Sequence, residues 1–129
     1  MPLYLEWFKC FGDRWCDFLE INLDHNHFDG LRGVYIIWYG GKKRTILKVG
    51  QGVIRERLSE NRQDYVISAY SQYGLHVTWA KVAEDECDGV ERYVGETLKP
   101  VVGSRLAESQ PIRVNLPWEE GPLFEKKMR

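Results

Sequence analysis

Apolar and polar positions change period several times along this chain, and each change marks an element. Val34 to Tyr39 is an unbroken run of β-branched and aromatic residues, and Thr45 to Val49 is a second. Between them Gly40-Gly41-Lys42-Lys43 joins a glycine pair to charge, the chemistry of a hairpin turn. After Gly50 and Gly52 the period lengthens, and Ile54, Arg57, Leu58 and Asn61 recur at helical spacing. Leu75 to Val82 alternates, so Leu75, Val77 and Trp79 are expected on one face of a third strand. A helix is predicted from Cys87 to Lys99. The carboxylates of Glu84 to Asp88 suit its N-terminal dipole, and Pro100 stops it. The expected fold is one α/β domain. Its central three-stranded antiparallel sheet comes from residues near 33–39, 44–49 and 75–82, with helices near 52–60 and 87–99 packed against it.

The flanks are less patterned. Residues 1–30 read as an aromatic and acidic extension packed on a domain that spans 31–118. Within it Trp15, Phe18, Leu19 and Leu23 fit one face of a short helix, with Asp13 as its N-cap. His25 and His27 stand two apart with no third ligand evident, which favours exposed loop histidines over a metal site. Asn61 to Tyr73 reads as a helical or irregular crossing segment and 101–110 as a loop. Pro111 to Pro117 reads as a short extended piece and 119–129 as a frayed tail.

Composition narrows the class. At 129 residues one domain is the default. No apolar run approaches the length of a bilayer span and no charged-then-apolar leader is evident, so a cytoplasmic protein without membrane contact is expected. Cys10, Cys16 and Cys87 are odd in number and lack CxxC spacing, which indicates neither a disulfide framework nor a zinc knuckle. A net charge of -1 argues against a protein that grips nucleic acid over its whole surface. The distribution of charge says more. Lys42, Lys43, Arg44, Lys48, Arg55, Arg57 and Arg62 face only Glu56 and Glu60 within 42–62, whereas Glu84, Asp85, Glu86, Asp88 and Glu91 cluster without a base. A cleft basic on one side and acidic on the other suits a polyanion with a divalent cation. For any single charge a solvated face is the plainer explanation.

Three residues stand out against their elements. Glu91 falls on the helical stripe of Cys87, Val94 and Leu98, where a carboxylate is costly unless paired, hydrogen-bonded or bound to a cation. Arg57 projects near the apolar side of its helix and offers a rigid fork matched to phosphate oxygens. A buried ion pair between the two is the competing explanation. Tyr35 sits on an apolar strand, where tyrosines usually serve packing.

The order Gly33-Val34-Tyr35, then Lys48-Val49-Gly50, then Arg57, then Glu91 resembles the GIY-YIG endonuclease domain. The stretch from Glu91 to Pro100 resembles that family's glutamate helix, and Asn115 is similar to its closing asparagine. The likeness covers residues 31 to 118, and each motif in it is short. It implies a DNA endonuclease that hydrolyses phosphodiester bonds with one Mg²⁺ or Mn²⁺ ion. Glu91 would be the metal ligand, Arg57 the phosphate clamp, and Tyr35 the group that activates or orients the attacking water. Lys48, Asn61 and Asn115 would support them, and Lys42, Lys43, Arg44, Arg55 and Arg62 would contact DNA. A small module without a large basic surface is expected to need a second copy or a DNA-binding partner protein.

Two positions depart from the family pattern. Lys48 stands where its second tyrosine is usual, and a protonated lysine cannot act as proton acceptor. Asn61 replaces a His or Tyr one turn after the arginine; it can orient a water but not take its proton. These departures motivate the alternative of a catalytically silent module of this type, binding nucleic acid or a protein.

Overall fold

The computed structural model describes residues 2–103 and 108–119. Residues 120–129 of the tail predicted at 119–129, and residues 104–107 of the predicted loop, lie outside them. The domain is α/β, with an antiparallel sheet of four strands: β1 (Cys16–Asp17), β2 (Arg32–Tyr39), β3 (Thr45–Val53) and β4 (Leu75–Lys81), in the order β1-β4-β2-β3. Three helices accompany it: α1 (Ile54–Gln63), α2 (Tyr65–Ser68) and α3 (Cys87–Leu98). The short α2 is capped by the Asp64 carboxylate, which accepts from the Val66 N–H at 2.8 Å. Lys99, left-handed at φ 52°, ends α3 just before Pro100.

β2 is the centre of the molecule. It pairs with β3 on one side and β4 on the other, and its six inner residues are all buried. Alternation sends Val34, Ile36 and Trp38 to one face, where they pack with Val90 and Val94 of α3. It sends Tyr35 and Ile37 to the other, where Ile54 and Leu58 of α1, and Leu75, Val77 and Trp79 of β4, complete a second cluster. Fully burying a side chain such as Leu58 contributes about 1.5–3 kcal/mol. A carboxylate or guanidinium borne on these helices is therefore easiest to accommodate at the margin of the sheet.

Several expectations need correction. The sheet has four strands rather than three, because Cys16 and Asp17 pair with Val77 and His76. The predicted N-terminal helix does not form. Gly12 and Asp13, both at positive φ, make a turn there, and Asp13 caps nothing. β3 runs on through Gly50 and Gly52 to Val53, so α1 starts at Ile54 rather than near 52.

Cys10 and Cys16 form a disulfide, against the expectation from count and spacing. The turn they flank is closed by a Cys10–Arg14 bridge, which leaves their Cα atoms 5.0 Å apart, within disulfide range. Such bonds are rare in reducing compartments, so this one sits poorly with the expected cytoplasmic residence. Among the described residues no helix is long and apolar enough to cross a membrane.

The N-terminal residues are stitched to the domain by polar contacts. Leu3 bridges Val114 in parallel, the Phe8 N–H donates to the Trp79 carbonyl at 2.9 Å, and the Thr78 hydroxyl donates to the Phe8 carbonyl at 2.8 Å. Exchanging Cys10 and Cys16 together for serine should cost about 2 kcal/mol of stability for a loop of this length. Urea unfolding of the variant, and of the unaltered protein in reductant, should show the same fall in midpoint. An unchanged midpoint would mean that the bond does not constrain the unfolded chain.

Candidate active site

The three candidate residues gather around Gly50-Gln51-Gly52 of β3, an edge strand of the sheet. Strand register sets Gly50 opposite Tyr35, Gln51 opposite Val34, and Gly52 opposite Gly33. Gly50 thus faces the α1 side and Gln51 the α3 side, so the stretch reaches to both helices at once.

On the α1 side the glycines make room for two larger groups. A Cβ at residue 50 would stand 2.3 Å from the Tyr35 hydroxyl oxygen, so the phenol ring lies directly against the bare backbone. A Cβ at residue 52 would meet Arg57 Cγ and Nε at 3.1 Å, so the arginine stem rests on Gly52, whose φ of +135° also favours glycine. Tyr35 is 2 % exposed, and its hydroxyl accepts from Asn61 Nδ2 at 2.8 Å. The same amide nitrogen donates to the Arg57 carbonyl at 2.7 Å. Asn61 is itself buried, which makes it a fixed link between the phenol and the helix. Burial is the main cause that holds the Tyr35 pKa above its ordinary value, and the Glu91 charge adds to it; the Asn61 hydrogen bond and Arg57 oppose them.

Arg57 is only partly committed. Its Nη1 meets Glu60 at 3.2 Å, its Nε is buried without a hydrogen-bond partner among the described residues, and the side chain is 41 % exposed. A guanidinium held at its base and open at its tip can offer donors to an oxyanion.

On the α3 side Glu91 is half-buried at the margin of the stripe formed by Cys87, Val90 and Val94. The Gln51 side chain hydrogen-bonds both Glu91 and Asp88. Burial raises the Glu91 pKa above the ordinary value, and the Asp88 charge raises it further. The Gln51 bond and the nearby Lys48 charge pull it down. Because Glu91 acts on Tyr35, the groups on the two sides share one electrostatic field. Among the described residues no three His, Cys, Asp or Glu side chains gather as a metal cluster.

The remaining predicted residues lie elsewhere. The Asn115 amide is engaged twice by Leu5: Leu5 N–H donates to its Oδ1 at 2.6 Å and its Nδ2 donates to the Leu5 carbonyl at 2.9 Å. Arg55 donates to the carbonyls of Leu23 and His25 and pairs with Asp29 at 2.8 Å. Arg62 donates to the carbonyls of Phe18 and Ile21. These two arginines hold the 18–29 segment against α1. Lys42, Lys43 and Arg44 are exposed at the hairpin tip. Buried Cys87, with its thiol pushed up to about 11 by burial, is poorly suited to act as a nucleophile.

Gln51 is not expected from the sequence, and Asp88 is expected there only as one of an acidic cluster rather than as a site residue. Glycine on either side of one polar strand residue was the available signal, since glycine inside a strand often marks close approach of another group. No family model matches the chain, and no curated protein or solved structure does.

The raised Glu91 pKa has a sign that can be tested. A carboxyl group whose folded pKa exceeds its unfolded value favours folding while protonated and loses that contribution as pH rises through the folded value. Glu91→Gln keeps an acceptor for Gln51 and removes the charge. It should therefore raise the melting temperature at pH 7.5 and give no gain well below the ordinary carboxyl value of 4.5. A variant less stable than the parent at pH 7.5 would show that the charge is compensated inside the fold.

Proposed function

We propose that this protein is a divalent-metal-dependent endonuclease that hydrolyses phosphodiester bonds in DNA. The observation that carries the reading is the convergence at Gly50-Gln51-Gly52 of a phenol, a partly free guanidinium and a half-buried carboxylate with raised pKa. Structural ion pairing would explain the last two if they met each other. Instead Arg57 pairs with Glu60 and Glu91 bonds Gln51.

The donor set suits a hard cation. Glu91, with Asp88 one turn before it, would hold a Mg²⁺ or Mn²⁺ ion that takes its other ligands from water. When bound, that ion supplies Lewis-acid stabilisation of developing negative charge. Arg57 would bind the non-bridging oxygens of the phosphate and stabilise charge on them through its open tip. Tyr35 keeps its proton at neutral pH, because its pKa is raised. Its oxygen already accepts from Asn61, so its O–H would remain to donate to a water or a phosphate oxygen, orienting it without taking a proton.

One observation favours the silent alternative. The Asn61 amide nitrogen is fully engaged by Tyr35 and the Arg57 carbonyl, so the position contributes rigidity and no proton acceptor.

Plasmid, single-stranded and branched DNA incubated with Mg²⁺ or Mn²⁺, with and without chelator, separate the two readings. Cleavage is expected with the cation and is lost with the chelator. Glu91→Ala and Arg57→Ala should each lower the rate about a hundredfold or more with unchanged circular dichroism. Glu91→Ala cutting at the parental rate would remove the site assignment. An inert parent whose Lys48→Tyr, Asn61→His double variant cuts would establish the silent reading.

A further inference from the structure

At the far end of β3 from the candidate site, a groove of about 360 Å³ opens beside the hairpin tip, lined by Trp15, Trp38, Lys42, Arg44, His76 and Trp118 among others. Trp38 is the buried centre. Trp15 and Trp118 stand edge-on to it with ring centroids 5.4 and 5.0 Å away. The Arg44 guanidinium lies over Trp118, its Cζ 4.1 Å from a ring centroid. Lys42, Lys43 and Arg44 are exposed, and none of the three forms an ion pair among the described residues. A second groove joins these cations and Trp118 to Thr97 and Leu98 at the end of α3.

Two polar atoms here lack what burial demands. Trp118 Nε1 and His76 Nδ1 are buried without a hydrogen-bond partner among the described residues. Native interiors rarely leave such groups unpaired, so these two stand out among the residues that line the groove. Three cations without an ion pair, against the single carboxylate of Glu119 in the second groove's lining, favour an anion. Aromatic walls together with an arginine plane ask for a ring to stack.

We infer that this groove binds single-stranded DNA, with an unpaired base stacked against Arg44 and Trp118 and the flanking phosphates on Lys42 and Lys43. The inference rests on the nuclease reading for its partner and adds the form of the substrate. A duplex keeps its base faces stacked internally and cannot present one to a walled groove, whereas a single strand can. The distance also fits. Arg44 and Gln51 are seven residues apart along an extended strand, roughly 24 Å. Glu91 lies two turns before Leu98 on α3, about 10 Å. A strand seated here reaches the candidate site within a few nucleotides.

Binding is measured by fluorescence anisotropy without metal and in chelator, so cleavage plays no part. The probes are a labelled oligo-dT of roughly 16 nucleotides, an oligo-U and a duplex of the same length, and inorganic polyphosphate. Oligo-dT should bind about tenfold more tightly than the duplex or polyphosphate and should quench tryptophan fluorescence. Trp118→Leu should lose about tenfold for oligo-dT and nothing for polyphosphate. Because Trp118 also packs, Arg44→Leu at the exposed tip provides an independent variant and should weaken oligo-dT binding as well. Lys42→Ala with Lys43→Ala should flatten the salt dependence, by about 0.7 in log–log slope for each phosphate that is no longer neutralised.

Equal affinity for duplex or polyphosphate, tighter binding of oligo-U than oligo-dT, or an Arg44→Leu variant that binds as the parent does would each overturn the inference. Metal-dependent cleavage with no single-strand preference would sink the groove and leave the nuclease standing. Tight oligo-dT binding with no cleavage of any substrate would do the reverse.

Discussion

Tyr35 lies so close to the backbone of β3 that residue 50 can carry no side chain, and the arrangement of the candidate site depends on that contact. A methyl group at 2.3 Å from the phenol oxygen would force either the ring or the strand to move. The ring is held on its other side by the Asn61 amide, which is anchored to α1 through the Arg57 carbonyl. The bare strand, the phenol and the helix therefore form one rigid stack. Arg57 repeats the device two residues along, resting on Gly52. Such close approach needs glycine within a strand, where it normally weakens packing, and it is tolerated because β2 beside it is buried on both faces.

That double burial also decides where polar chemistry can sit. With helices on both faces of β2, an ionised group near the centre would lose its water and find few partners. β3 is the edge, and its far end is closed where the Val101 and Val102 N–H groups donate to the Ile46 and Leu47 carbonyls at 2.9 and 2.8 Å. The stretch from Gly50 to Gly52 lies at the other end, where α1 and α3 approach the same strand from opposite sides. Glu91 is accommodated there at half burial, and the Gln51 amide bonds it and Asp88 together. The Asp88 charge beside Glu91 raises the proton affinity of Glu91, an unfavourable arrangement for stability alone. A cation beside the two carboxylates would reverse the sign of that interaction.

What the sequence made legible follows from which interactions are periodic. The three long strands and both longer helices announce themselves through alternation and helical spacing, because each buries a continuous face. Tyr35, Arg57 and Glu91 were visible as polar groups on apolar stripes. The extension before residue 30 was not legible, because contacts distant in the chain hold it: Arg55 and Arg62 donating to its carbonyls, the Cys10–Cys16 bond, and the Leu5–Asn115 pairing. None of these leaves a repeat. The start of α1 was misplaced because Gly50 and Gly52 look like a turn when their side-chain neighbours are unknown. Gln51 gains its meaning only once α3 is packed beside it.

The same reasoning separates cations that look alike in sequence. Arg55, Arg57 and Arg62 lie on one helix within eight residues, yet two of them are bound to carbonyls of the 18–29 segment and only Arg57 keeps a buried donor without a partner. A planar fork that satisfies several carbonyls at once is a structural clamp, and removing it would leave those carbonyls unpaired. At the hairpin tip the position is reversed. Lys42, Lys43 and Arg44 form no ion pair among the described residues, although Glu119 lines the same groove, and Arg44 is ordered by the Trp118 ring. An indole orders a guanidinium without neutralising it, whereas a carboxylate does both. Arg57, paired with Glu60 through Nη1 alone, thus stands at one end of β3 and the hairpin cluster, with no ion pair among the described residues, at the other.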